Sequence, residues 1–102
     1  MNLEIHKKSS TAADVSLAGS FYAADSASVR EQLVALVEEG VSELTLECSG
    51  LDYVDSEGLR TLLTMHKRCL QHGGRLTITG LRGMVEEMFR ITCLDLMFNI
   101  GA

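Results

Sequence analysis

The chain has 102 residues, with fourteen acidic against nine basic side chains for a net charge of -5, and 46% of it is apolar. That length carries one core and excludes two ordinary domains, while 23% charged residues against so much apolar material excludes a disordered tract. The basic residues are scattered rather than gathered into the stripe that counterion release at a phosphate backbone rewards, which argues against nucleic-acid binding.

The opening "MNLEIHKKSS" lacks the apolar centre of a signal peptide, and no apolar run nears the roughly 18–20 residues that span a bilayer. A single cytoplasmic domain over residues 1–102, not inserted in a membrane, is therefore expected. Cys48, Cys69 and Cys93 match no metal or redox spacing, and each sits in an apolar run. They are read as reduced packing residues, with no metal and no cofactor.

In chain order, Leu3 and Ile5 alternate with Glu4 and His6, and Val15 and Leu17 flank Ser16, which gives two strands. A helix follows, starting at an Asp25 cap or one turn later at a Ser28/Glu31 capping box. It buries Val29, Leu33, Leu36 and Val37 and stops at Gly40. Leu44, Leu46 and Cys48 alternate in a third strand. The second helix runs from about Ser56 to His72, with Leu59, Leu62, Leu63, His66 and Leu70 on one stripe and Gly73-Gly74 as its stop.

Leu76 and Ile78 mark a fourth strand, and a shorter helix, about Arg82 to Ile91, turns Val85, Met88 and Phe89 inward. Met84, Met88, Met97 and Phe98 are read as core packing, and "LDLMFNI" as a short strand or an extended tail. Strands with one polar face differ from the all-apolar strands of a sheet covered on both sides. The expected fold is α/β: a mixed β-sheet of four to five strands with helices packed mainly on one face.

The stretch "LDYVDSEGLRTLL" places Ser56 where the third strand gives way to the second helix. Two roles suit a serine there. It can cap the helix as an ordinary Asp-Ser start. It can also accept a phosphate, which the free N–H groups and positive dipole end of the helix would tolerate while the surface gains roughly 1.5 to 2 negative charges. Gly58, inside the first turn, costs roughly 1 kcal/mol relative to alanine and implies close approach by another part of the chain.

A nucleophile elbow needs glycine two residues before the serine, where this chain has Val54. His66 falls within the apolar stripe of the helix, His6 lies in the first strand and His72 at a helix end, so no base is in sight and the chain is read as no enzyme. His66 itself reads as a partly buried histidine satisfied by a neighbour.

Taken together, "VSLAGSFYAADSASVREQL", "ELTLECSGLDYVDSEGLRTLL", "HGGRLTITGL" and "VEEMFRITCLDLMF" resemble the STAS domain of bacterial anti-sigma factor antagonists, in one order over about residues 13 to 100. The most specific element is Val54-Asp55-Ser56-Glu57-Gly58-Leu59. The resemblance implies a STAS-like sheet and a partner-switching regulator of sigma-factor-dependent transcription. By the same resemblance, Ser56 falls at the family's phosphorylated position, the expected partner is a GHKL-type serine kinase that doubles as anti-sigma factor, and a serine phosphatase is expected to reverse the mark. It implies a partner-binding surface of Asp55, Ser56, Glu57, Gly58 and Leu59, with Tyr22, Ala23, Ala24 and Asp25 alongside. An accessory subunit of an ABC-type transporter, without a phosphorylation switch, is the alternative. Tyr22 stands where the family often has aspartate, and Glu57 where it usually has a small residue.

Overall fold

Alternation of apolar and polar residues builds the sheet, and a break in that alternation shapes its functional end. The computed structural model describes residues 1–101. Its strands are β1 (Asn2–Lys7), β2 (Ala12–Phe21), β3 (Glu43–Val54), β4 (Arg75–Thr79) and the two-residue β5 (Asn99–Ile100); its helices are α1 (Ser26–Glu38), α2 (Ser56–Gln71) and α3 (Gly83–Ile91). The spatial order is β1-β2-β3-β4-β5, with β1 antiparallel to β2 and every other pair parallel. The expected mixed sheet is present, and the tail "LDLMFNI" forms a 3-10 turn, Leu94–Leu96, before β5.

Ala13, Val15 and Leu17 from β2, Leu44, Leu46 and Cys48 from β3, and Leu76 and Ile78 from β4 are buried, and they meet Val29, Leu33, Leu36, Leu62, Met65, Val85 and Phe89 from the helices. Alternate residues Asp14, Ser16, Thr45, Glu47, Thr77 and Thr79 keep contact with solvent. Burial of the Cys48 thiol, with Glu47 beside it, pushes its pKa up to about 12, so it stays neutral and inert. Among the described residues no helix is long and apolar enough to cross a membrane.

Beyond Cys48 the period of two fails. The pairing of β2 with β3 slips between Ser16 and Ala18 and again between Gly19 and Ser20, each time taking one extra residue from β3. Inward positions on β3 then fall three apart, at Cys48, Leu51 and Val54. The two extra residues carry the strand on to Asp55, level with the end of β2, where Phe21 pairs with Val54. Arg82, at the start of α3, fastens this bulged half of β3 by donating from Nε to the Ser49 carbonyl and from its guanidinium to Asp52, 3.2 Å away.

Several sequence expectations need correction. Asp25 does not cap α1; its carboxylate turns back to the Tyr22 N–H, 3.0 Å away, and closes a 3-10 turn, Ala23–Asp25, ahead of the helix. Ser28 bonds Gln32 instead of forming a capping box. The inward stripe of α2 uses Met65 and Cys69, whereas Leu70 is exposed, because successive helical turns of 3.6 residues carry the stripe past Leu70. Ile5 is exposed because β1 is an edge strand that little covers. Cys93, Met84 and Met97 are exposed as well: Met84 lies in the first turn of α3, and the other two around the 3-10 turn that follows it. His66 is buried against the Phe98 ring, 5.1 Å away, and its Nδ1 has no hydrogen-bond partner among the described residues, so the expected satisfying neighbour is missing.

Candidate functional site

Because β2 and β3 run parallel and end level, the chain leaves both at the same edge of the sheet. That is where open α/β sheets present loops to a ligand or partner. From β2 it enters Tyr22 and the Ala23–Asp25 turn; from β3 it enters Asp55 and α2.

Asp55 ties the two exits together. One carboxylate oxygen accepts from the Gly58 N–H at 2.8 Å, as a helix cap; the other accepts from the Ala23 N–H, also at 2.8 Å. The Asp55 N–H itself donates to the Phe21 carbonyl at 3.1 Å. Both oxygens of this side chain thus hold the chain's own backbone.

Ser56 is the first residue of α2 and is exposed. Since Asp55 supplies the cap, the Ser56 hydroxyl is not consumed by one. Of the four N–H groups that begin a helix without an intrahelical acceptor, Phe21 and the Asp55 carboxylate take those of Asp55 and Gly58. Among the described residues, those of Ser56 and Glu57 remain without an acceptor, beside the positive end of the dipole. Glu57 is exposed and pairs with Arg60 at 3.3 Å, one turn along the helix. Its charge is partly answered there, which reduces the repulsion it would exert on an anion at Ser56.

Gly58 and Leu59, expected on the contact surface, are turned inward and buried. A Cβ on Gly58 would come within 2.6 Å of Val54 Cγ2 and 3.2 Å of the Phe21 ring, so the missing side chain lets α2 start flat against the sheet. The close approach implied by the sequence is therefore to the chain's own core. A Gly58→Ala variant should lose about 1–3 kcal/mol of stability by overpacking, measured by urea denaturation. An unchanged midpoint would show that Val54 and Phe21 yield enough for the overpacking to cost no more than the roughly 1 kcal/mol that alanine gains over glycine in a helix.

Tyr22, Ala23 and Ala24 are exposed, and Asp25 is half-buried. The Tyr22 ring lies 5.5 Å from that of Tyr53, tilted by 44°. Sequence reasoning passed over Tyr53. The signal was available: the chain has two tyrosines, one just after β2 and one just before the end of β3.

The arrangement can present a hydroxyl and an aromatic side chain on one rigid rim, and among the described residues no histidine is bonded to Ser56. The family description "Mlab, STAS domain" matches residues 6–98. The chain belongs to the STAS domain family. BtrV of Bordetella bronchiseptica, named for an anti-sigma factor antagonist, is 33% identical over 85 residues, covering 83% of this chain and 73% of that protein. The anti-sigma-B factor antagonist of Bacillus subtilis is 29% identical over 103 residues, covering 100% of this chain and 94% of its own.

The fold is that of the anti-sigma factor antagonist SpoIIAA. In its unphosphorylated form SpoIIAA superimposes with a TM-score of 0.78 at 13% identity, over 99% of this STAS chain and 88% of the other. The phosphorylated form of the Bacillus protein gives 0.73 at 14% identity, over 99% and 92%.

Proposed function

We propose that this STAS domain is a cytoplasmic, non-enzymatic anti-sigma factor antagonist that docks, by the face around Ser56, on a GHKL-type serine kinase serving as anti-sigma factor. Phosphorylation of Ser56 ends that complex, and a serine phosphatase restores it. The observation that carries this reading is the division of labour at the start of α2: Asp55 caps the helix, and Ser56 is left exposed. A serine that capped the helix would have its side-chain oxygen engaged by the backbone; here the cap comes from Asp55, and the exposed Ser56 hydroxyl can be esterified with that cap in place.

Relatives named for anti-sigma factor antagonism, and the existence of SpoIIAA in both phosphorylation states, support the same reading. An accessory subunit of an ABC-type transporter is the alternative that Glu57 favours, and the Glu57–Arg60 pair at 3.3 Å weakens that ground.

The test is intact-mass analysis after incubation with ATP and, one at a time, the serine-kinase anti-sigma factors of the native host. One added phosphate is expected on the wild type and none on Ser56→Ala. Failure of every kinase to modify the wild type, with copurification of an ATP-binding-cassette subunit instead, would decide for the transporter role.

A further inference from the structure

Phosphoryl transfer to Ser56 explains release and leaves open what holds the complex together beforehand. At the ends of β2 and β3, which lead to Ala23 and to Asp55-Ser56, the chain places its two tyrosines in contact, ring centroids 5.5 Å apart. Tyr22 is 51% exposed, yet its backbone is fixed on both sides: its N–H donates to the Asp25 carboxylate at 3.0 Å and its carbonyl accepts from the Asp25 N–H at 2.9 Å. The following residue, Ala23, is bound to Asp55 at 2.8 Å.

A large amphipathic ring on a locked backbone has little freedom left to lose on docking, and aromatic residues so placed dominate binding energy at protein interfaces. Half-buried Tyr53 packs against the ring, tilted by 44°. Among the residues joined to this rim by sequence or hydrogen bond, Glu57 pairs with Arg60 and Asp52 with Arg82, and the charges of Asp25 and Asp55, bonded to backbone N–H groups, leave the rim net negative.

We infer that Tyr22, packed against Tyr53, is the affinity anchor of the docking face, and that it enters an apolar recess with a cationic rim on the kinase partner. The inference rests on the reading of Ser56 as the phosphoacceptor. It assigns two jobs to one rim. Ser56 faces the nucleotide phosphates and carries the switch, while Tyr22 supplies attraction that does not depend on the charge at Ser56. The Asp55 bridge keeps the two in register.

The experiment titrates wild type, Tyr22→Ala, Tyr22→Phe and Ser56→Asp against the host's serine-kinase anti-sigma factors, each purified and loaded with ADP, at low and high salt. Thermal melts run alongside. Tyr22→Ala should melt like the wild type and bind roughly tenfold more weakly or worse, while Tyr22→Phe keeps most of the affinity. The loss from Tyr22→Ala should persist at high salt, as befits an apolar contact, whereas wild-type affinity itself falls with salt through the cationic rim. If Tyr22→Ala binds as tightly as wild type while Ser56→Asp does not, the anchor is wrong and the switch stands. If no kinase binds the wild type, both fall together.

Discussion

A Ser56→Asp protein should melt within about 4 °C of the wild type and bind the proposed partner, an ADP-loaded serine kinase, about a hundredfold more weakly. The first half follows from position. Ser56 is exposed in the first turn of α2, where a carboxylate is favoured by the helix dipole, and the cap comes from Asp55. The second half follows from what a kinase must do. To transfer a phosphoryl group it holds the acceptor hydroxyl in line with the nucleotide's terminal phosphate, and after transfer a diphosphate still faces the modified side chain. An anion fixed at Ser56 therefore opposes an anion fixed in the kinase.

Aspartate carries one charge where phosphoserine carries roughly 1.5 to 2, so the variant understates the effect of the proposed modification. Ser56→Ala, which removes the hydroxyl without adding charge, should bind like the wild type. Equal affinity for Ser56→Asp and wild type would remove the switch from the proposal.

The course of the chain was legible where one period ruled. Val15 and Leu17, Leu44 and Leu46, and Leu76 and Ile78 each alternate with polar neighbours, and all six are buried. Legibility ended where the period changed within an element. Two slips against β2 make Cys48, Leu51 and Val54 the inward residues of β3, a spacing of three that reads neither as strand nor as helix.

The site was half legible for the same kind of reason. The run Asp55-Ser56-Glu57-Gly58 marks a helix start, and Asp55 does cap it. Which atom of the chain the second oxygen of Asp55 would meet depends on β2 ending level with β3, and that is settled by the bulges. Likewise Gly58 signalled a close approach, but only the packing of Phe21 and Val54 shows that the approach is inward. Asp25 misled because an aspartate before a helix has two backbone donors within reach, and here the one at Tyr22 wins.

Asp55→Ala should cost about 2.5–4 kcal/mol, read as a fall of roughly 10–30 °C in melting temperature. A lost cap accounts for about 1 kcal/mol, and a charge-assisted bond to a second N–H for about 1.5–3 more. Asp55→Asn separates the two. Its single carbonyl oxygen can still accept from Gly58, and asparagine caps as well as aspartate, but its amide then turns a donor toward the Ala23 N–H. The Asn variant should thus keep the cap, lose the bridge, and fall between wild type and alanine in stability. Amide hydrogen exchange should locate the difference, with Ala23 exposed to exchange in both variants and Gly58 exposed only in the alanine variant. A protected Ala23 N–H in Asp55→Asn would mean that the bridge between β2 and α2 is held by something other than this carboxylate. An unprotected one ties the order of the Tyr22 turn to the same residue that caps the helix and leaves Ser56 exposed.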